Sequence, residues 1–181
     1  MEYKIDTYKG DNDNRFVLGK LGKHGKKKLF VLGLNPSTAD DKEPDPTMRK
    51  VMRLAEINGF DGFVMLNLYP KQSPKPGELP GDNDCNEEMF IRNLKEIAEV
   101  VPNNAVVLAC WGVNIHKRAY LSRSLSLITK ELENKHCIWK AIKSTKYGDP
   151  QHPSRAKYGE FIEFDIKNYL KILNRIRKKN A

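Results

Sequence analysis

The stretch Lys28-Leu-Phe-Val-Leu-Gly-Leu-Asn-Pro-Ser-Thr-Ala-Asp40 decides how this chain is read. Residues 29–34 form an uncharged apolar run, followed at once by Asn35-Pro36. Pro36 has no N–H to donate, so a central strand must end there. Open α/β sheets bind ligands outside the carboxyl ends of buried strands. Asn35, Ser37, Thr38 and Asp40 then stand at the mouth of a strand. A strand closed by an Asx or Ser/Thr turn gives the same pattern, so this stretch alone leaves both readings open.

Similar runs recur outward from it. Residues 62–67 read as a second buried strand ending on Asn67, residues 105–111 as a third ended by Gly112, and residues 136–142 as a fourth. Between them lie helical patterns. Asp45-Pro46-Thr47 is a helix start, with Asp45 able to cap and Pro46 suited to the first turn; Met48, Val51, Met52 and Ala55 follow, and Gly59 is a terminator. Residues 84–101, 114–133 and 160–178 carry the remaining helical spacings. At the N-terminus, residues 1–14 are polar and Arg15-Phe-Val-Leu18 suggests a short strand. Gly22 and Gly25 suggest a hairpin turn into the strand at 29–34. Continuous apolar strands alternating with amphipathic helices predict a three-layer α/β/α fold. The expected sheet is four-stranded and mainly parallel, with an N-terminal hairpin. The expectation is one domain over residues 1–181: a polar segment and hairpin over 1–27, and an α/β core over 28–181. Two long loops remain, 68–84 and 143–156; a loop as long as the first is usually functional or disordered.

Composition narrows the class. The chain has 181 residues, 39% of them apolar and 30% charged. No apolar run approaches the roughly 20 residues of a membrane span. The start Met1-Glu-Tyr-Lys-Ile-Asp6 has neither the basic start nor the apolar stretch of a secretory signal, so the expected location is the cytoplasm. Cys85, Cys110 and Cys137 match no metal spacing, so neither a disulfide nor zinc is expected. The net charge of +9 suits a polyanionic partner such as nucleic acid. Part of it is concentrated, at Lys20, Lys23, Lys26, Lys27 and Lys28 and at Lys171, Arg175, Arg177, Lys178 and Lys179. A basic C-terminal cluster is also what a solvated helix end looks like.

Four polar features fall at strand ends: Asn35-Pro-Ser-Thr, Asn67-Leu-Tyr, Trp111-Gly-Val-Asn114 and Gly148-Asp-Pro-Gln-His152-Pro-Ser154. Parallel strands deliver their carboxyl-end loops to one edge, which makes an uncharged, hydrogen-bonding site. It lacks the clustered His, Cys or carboxylate of a metal site. It also lacks the Gly-x-Ser-x-Gly elbow and the glycine-rich phosphate loops. His24, His116 and His136 fit no motif and read as incidental.

In this order the features resemble the uracil-DNA glycosylase superfamily. Gly33-Leu-Asn-Pro is similar to its first motif, in the Asn-containing form of the mismatch-specific and thymine-DNA branches. Leu66-Asn67 resembles the second-strand Asn that reads the base edge. Val106-Val-Leu-Ala-Cys-Trp-Gly112 resembles the strand leading into Trp-Gly, and His152-Pro-Ser154 the loop that carries the catalytic His. Over residues 15–158 the chain also resembles an uncharacterised bacterial and phage domain-of-unknown-function family. That family carries Arg-Phe-x-Leu-Gly, Asn-Pro-Ser-Thr-Ala, Asp-Pro-Thr, Asn-Leu-x-Pro, Trp-Gly and Gly-x-Pro-x-His-Pro.

The glycosylase resemblance implies DNA repair by N-glycosidic hydrolysis of a damaged or modified pyrimidine, with DNA as partner and no cofactor or metal. It implies that Asn35 orients a water, that Asn67 binds the base edge, and that His152 donates to a base carbonyl as the leaving base gains charge. Arg155, after Ser154, stands where the superfamily places residues that enter the vacated duplex. Two departures matter. Asn35 replaces the Asp of the fast uracil-specific branch, so a slow enzyme is expected, or one for a labile modified base. Ser37 stands where that branch has a Tyr, which leaves room for a 5-substituted pyrimidine. Tyr69 is the aromatic nominated for base stacking. Asp40 and Asp41 can supply a carboxylate or lie solvated. Asn35 and Asn67 can equally serve buried loop backbone, His152 can be structural, and Trp111 reads as core. Two other functions stay open: a non-catalytic nucleic-acid or nucleotide-binding module, and a hydrolase of a free nucleoside or nucleotide.

Overall fold

In the structure, a computed structural model, the apolar run at 29–34 forms the strand at the centre of the sheet. The structure describes residues 1–20, 27–37, 42–73 and 75–180, with the side chains of 76 and 178–180 excepted. Thr38, Asp40, Asp41, Gly22, Lys23, His24, Gly25 and Lys26 lie outside the described residues, as do the side chains of Lys178 and Lys179. The strands are β1 (Thr7–Gly10), β2 (Arg15–Gly19), β3 (Lys28–Gly33), β4 (Gly62–Asn67), β5 (Val106–Ala109), β6 (Ile138–Ala141) and β7 (Ile162–Glu163). The helices are α1 (Pro46–Ile57), α2 (Glu87–Val100), α3 (Ala119–Glu131) and α4 (Ile166–Asn180).

All seven strands form one sheet in the order β1-β2-β4-β3-β5-β6-β7. The four strands β4, β3, β5 and β6 run parallel, and β1, β2 and β7 are antiparallel to their neighbours. The expected four-stranded sheet is thus the centre of a seven-stranded one. The added edge strands escaped the sequence pattern because no residue of β1 or β7 is fully buried. What holds them is backbone pairing, which leaves no apolar period. The expected hairpin into residues 29–34 is corrected as well: β2 pairs with β4, Leu18 opposite Met65, and not with β3.

Alternate residues of the central strands feed two cores on opposite faces of the sheet, as the pleat requires. Phe30, Leu32, Val64, Leu66, Val107 and Ala109 pack into one with residues of α2, α3 and α4. Leu29, Val31, Phe63, Met65 and Leu108 pack into the other with Met48, Val51, Leu54 and Ala55 of α1. Helix starts follow local chemistry. Asp45 Oδ1 accepts from Met48 N at 2.7 Å, with Pro46 in the first turn; Asn86 caps α2 in the same way. Gly59, at φ +73°, turns the chain after α1. The helix expected at 114–133 begins later, at Ala119, because residues 112–117 form a tighter 3₁₀ turn. In place of one helix over 160–178, the chain pairs β7 with β6 before α4 begins at Ile166.

The loop expected at 68–84 is ordered where described. Arg118 donates to the carbonyls of Leu79 and Pro80. Asp82 accepts from the backbone N–H groups of Ala119 and Tyr120, which starts α3 from a distance. Among the described residues, no helix is long and apolar enough to cross a membrane.

Candidate functional site

From β3 the chain crosses to β4 on one side, then returns to place β5 on the other. Loops leaving β3 and β5 part at that reversal, and open parallel sheets bind ligands there. A cavity of about 450 Å³ lies at this point, lined by residues following β3, β4 and β5 and by the loop at 145–155. Its size is in the range of small-molecule sites. Leu34, Met48, Met65, Cys110 and Trp111 supply the apolar lining, and Asn35, Asn67, Asp45, His152 and the two arginines Arg15 and Arg155 the polar groups.

Six of the seven site residues nominated from the sequence meet there: Asn35, Ser37, Asn67, His152, Ser154 and Arg155. Tyr69 does not. It is buried against Tyr120, with ring centroids 4.8 Å apart, and its hydroxyl accepts from Asn86 N. Trp111 is core, as read, being 1% exposed, but it also lines the cavity.

The two Asn side chains are held by backbone. Asn35 Nδ2 donates to the carbonyls of Pro36 and Ser73, at 3.1 and 2.9 Å. This ties the first loop to the long loop after β4, and among the described residues no group donates to the amide oxygen. Asn67 is 2% exposed. The carbonyls of Asn35 and Leu66, each 3.3 Å away, fix its nitrogen as the donor toward them. Asn93 of α2 pins the backbone carbonyl of Asn67 at 2.9 Å. Gly33 makes room for this amide, since a Cβ there would fall 2.9 Å from it.

His152 is oriented by its own loop. Ser154 N donates to Nδ1 at 3.3 Å, and Ser154 Oγ lies 2.8 Å from the same nitrogen. A backbone N–H can only donate, so Nδ1 accepts, and the neutral ring carries its proton on Nε2. Burial, and secondarily the Arg155 charge, lower the His152 pKa, while Asp45 opposes them. The ordinary value is about 6.5, so the ring is neutral at pH 7. Gly112, at φ +65°, packs beneath it; a Cβ would stand 3.4 Å from His152 Cβ.

A buried network anchors the loop from below. Asp149, 2% exposed, accepts from Tyr169 Oη at 2.7 Å and lies 2.9 Å from His116 Nε2. Trp111 Nε1 donates to Tyr169 Oη at 3.2 Å. His116 is therefore not incidental: it covers a buried carboxylate.

Two lining residues were missed by sequence reading. Arg15 is 2% exposed and opens β2. Because β2 runs antiparallel to β4, its first residue lies beside the carboxyl end of β4, and Arg15 N donates to Pro70 O. Burial lowers its pKa and the Asp45 charge raises it. An Arg heading an apolar strand was the available signal. Asp45 was read only as a cap, yet a helix that follows a parallel strand starts at the ligand edge. Its Oδ2 accepts from Ser37 Oγ. Among the described residues, no group of His, Cys, Asp and Glu could hold a metal ion.

The family described as Protein of unknown function (DUF1643) matches residues 15–154. The chain belongs to that family. The DUF1643 match runs from Arg15 through Ser154 and so takes in every described cavity residue except Arg155. No curated protein and no solved structure matches the chain.

Proposed function

We propose that this DUF1643 protein is a uracil-DNA-glycosylase-like hydrolase that cleaves the N-glycosidic bond of a damaged or modified pyrimidine in DNA. One observation carries the reading: Asn35, Asn67 and His152, separated by up to 117 residues in sequence, line a single cavity at the carboxyl edge of a parallel sheet. The apolar lining suits the face of a base and the amides suit its pairing edge. Flipping is required because the bond cannot be reached inside a duplex.

In this reading the Asn35 oxygen accepts from a water and aims it at the sugar carbon. Asn67 holds the base. His152, neutral and protonated on Nε2, donates to the base carbonyl as the bond breaks and negative charge develops there. Such a donor is typically worth about 3–4 kcal/mol in the transition state. Arg155 and other basic groups hold phosphates.

A second reading, a nucleic-acid or nucleotide-binding module without turnover, draws on Asn35 itself: an amide cannot take a proton from water. A hydrolase of free nucleosides or nucleotides would show no salt-dependent affinity for DNA. The test is incubation with duplexes and single strands carrying uracil, 5-hydroxymethyluracil, or thymine and hypoxanthine mismatches, followed by alkaline cleavage of abasic sites. Strand cleavage lost in both Asn35→Ala and His152→Ala supports the hydrolase. Salt-dependent binding without cleavage supports the module.

A further inference from the structure

Hydrolysis leaves a proton to be placed. The attacking water becomes the sugar hydroxyl, so one of its protons needs an acceptor. Asn35 cannot serve, and His152 has Nδ1 occupied by Ser154 and Nε2 protonated. Arg15 and Arg155 are cations. Asp45 is the one carboxylate among the described residues lining the cavity. Its two oxygens have different tasks: Oδ1 caps α1 through Met48 N at 2.7 Å, while Oδ2 accepts from Ser37 Oγ. A residue present only as a cap needs only the first. Its charge also acts on Arg15 and on His152.

We infer that Asp45 is the base of the reaction, receiving the water's proton directly or through the Ser37 hydroxyl. This rests on the hydrolase reading above. In the step, the water oxygen bonds to the sugar carbon and the carbon–nitrogen bond breaks. The electron pair leaves with the base, whose carbonyl His152 stabilises. The water's proton passes to Asp45 Oδ2; in the relayed form Ser37 takes it up as it gives its own to Asp45. Nothing is oxidised or reduced.

Asp45→Asn tests this cleanly, because Asn caps helices as well as Asp does. The variant keeps α1 and removes the proton acceptor. A positioned base contributes typically 10²–10⁴-fold, so Asp45→Asn should release base at least about 100-fold more slowly. The variant should stay folded with α1 intact by circular dichroism, while its melt falls as buried Arg15 loses the Asp45 charge. Ser37→Ala should be slowed by less. The pH–rate profile of Asp45→Asn should differ in shape from that of the wild type. Arg15, His152 and Arg155 face the same cavity, so the His152 ring is titrated by NMR in both proteins. Its pKa should fall further in Asp45→Asn, because the Asp45 charge raises it.

Wild-type cleavage that Asp45→Asn retains within threefold overturns the role of Asp45 and leaves the hydrolase standing. So does a pH–rate profile that keeps the wild-type shape in a slowed Asp45→Asn. Wild-type protein that releases no base from any of the DNA substrates overturns the hydrolase reading and the role of Asp45 together.

Discussion

Asp149, in the loop after β6, meets Tyr169: the Tyr169 hydroxyl, on α4, donates to the Asp149 carboxylate at 2.7 Å, and both side chains are buried. Tyr169 also receives the Trp111 indole N–H at 3.2 Å. Its hydroxyl thus joins the loop that carries His152 to the end of β5. Burial, with Asp149 adding to it, pushes the Tyr169 pKa well above the ordinary range, so the hydroxyl keeps its proton at every working pH.

Tyr169→Phe should therefore cost more than a surface substitution. It removes a donor from a buried carboxylate and an acceptor from a buried indole. Each unpaired group costs roughly 1–3 kcal/mol. Urea unfolding should show a loss of about 2 kcal/mol or more, and amide exchange in residues 148–155 should speed up. Stability within about 0.5 kcal/mol of the wild type would mean that the network does not anchor the loop.

Asn35→Asp should not create a faster enzyme. The Asn35 nitrogen faces two carbonyls, those of Pro36 and Ser73. A carboxylate in its place offers them no donor and loses both bonds, at a cost of roughly 1–3 kcal/mol or more for a charged group. A lower melting temperature is expected, with exchange at Ser73 N–H accelerated, since that group bonds to Pro36 O in the same turn. A variant that cleaves faster without losing stability contradicts this account.

Two glycines separate stability from site geometry. Gly112→Ala places a Cβ at φ +65°, which costs roughly 1–2 kcal/mol. That Cβ would sit in ordinary contact with His152 Cβ, 3.4 Å away, so the cost is in the backbone. Gly33→Ala has no such backbone strain, but its Cβ would fall 2.9 Å from the Asn67 amide. Gly112→Ala should lower the melting temperature. Gly33→Ala should weaken ligand binding more than it lowers stability, as read by nucleotide titration beside a thermal melt.

The His152 pKa lies below its ordinary value, so the unfolded chain takes up this proton first as pH falls. Its contribution to stability is complete above about pH 6.5 and is lost as pH drops toward the folded value. His152→Gln should then show a shallower loss of stability than the wild type between pH 7.5 and mildly acidic pH, by urea unfolding. Equal slopes would rule out a depressed His152.

Composition, periodicity and caps made the parallel centre of the fold legible, along with the order of its helices. Each of these is local: a buried strand is apolar on both faces, and Asp45 caps a helix whatever surrounds it. Four strand ends bearing polar residues also sufficed to nominate Asn35, Asn67 and His152, because parallel strands share a carboxyl edge. The edge strands could not be read, since backbone pairing needs no side-chain signature. Pairing also decided the presence of Arg15 in the cavity, which depends on β2 lying antiparallel to β4. It took packing to send Tyr69 into the core and to turn Asp45 Oδ2 toward Ser37. The sequence alone determines which residues can leave a strand or start a helix. Which of them face the same empty space is fixed by contacts between segments far apart in the chain.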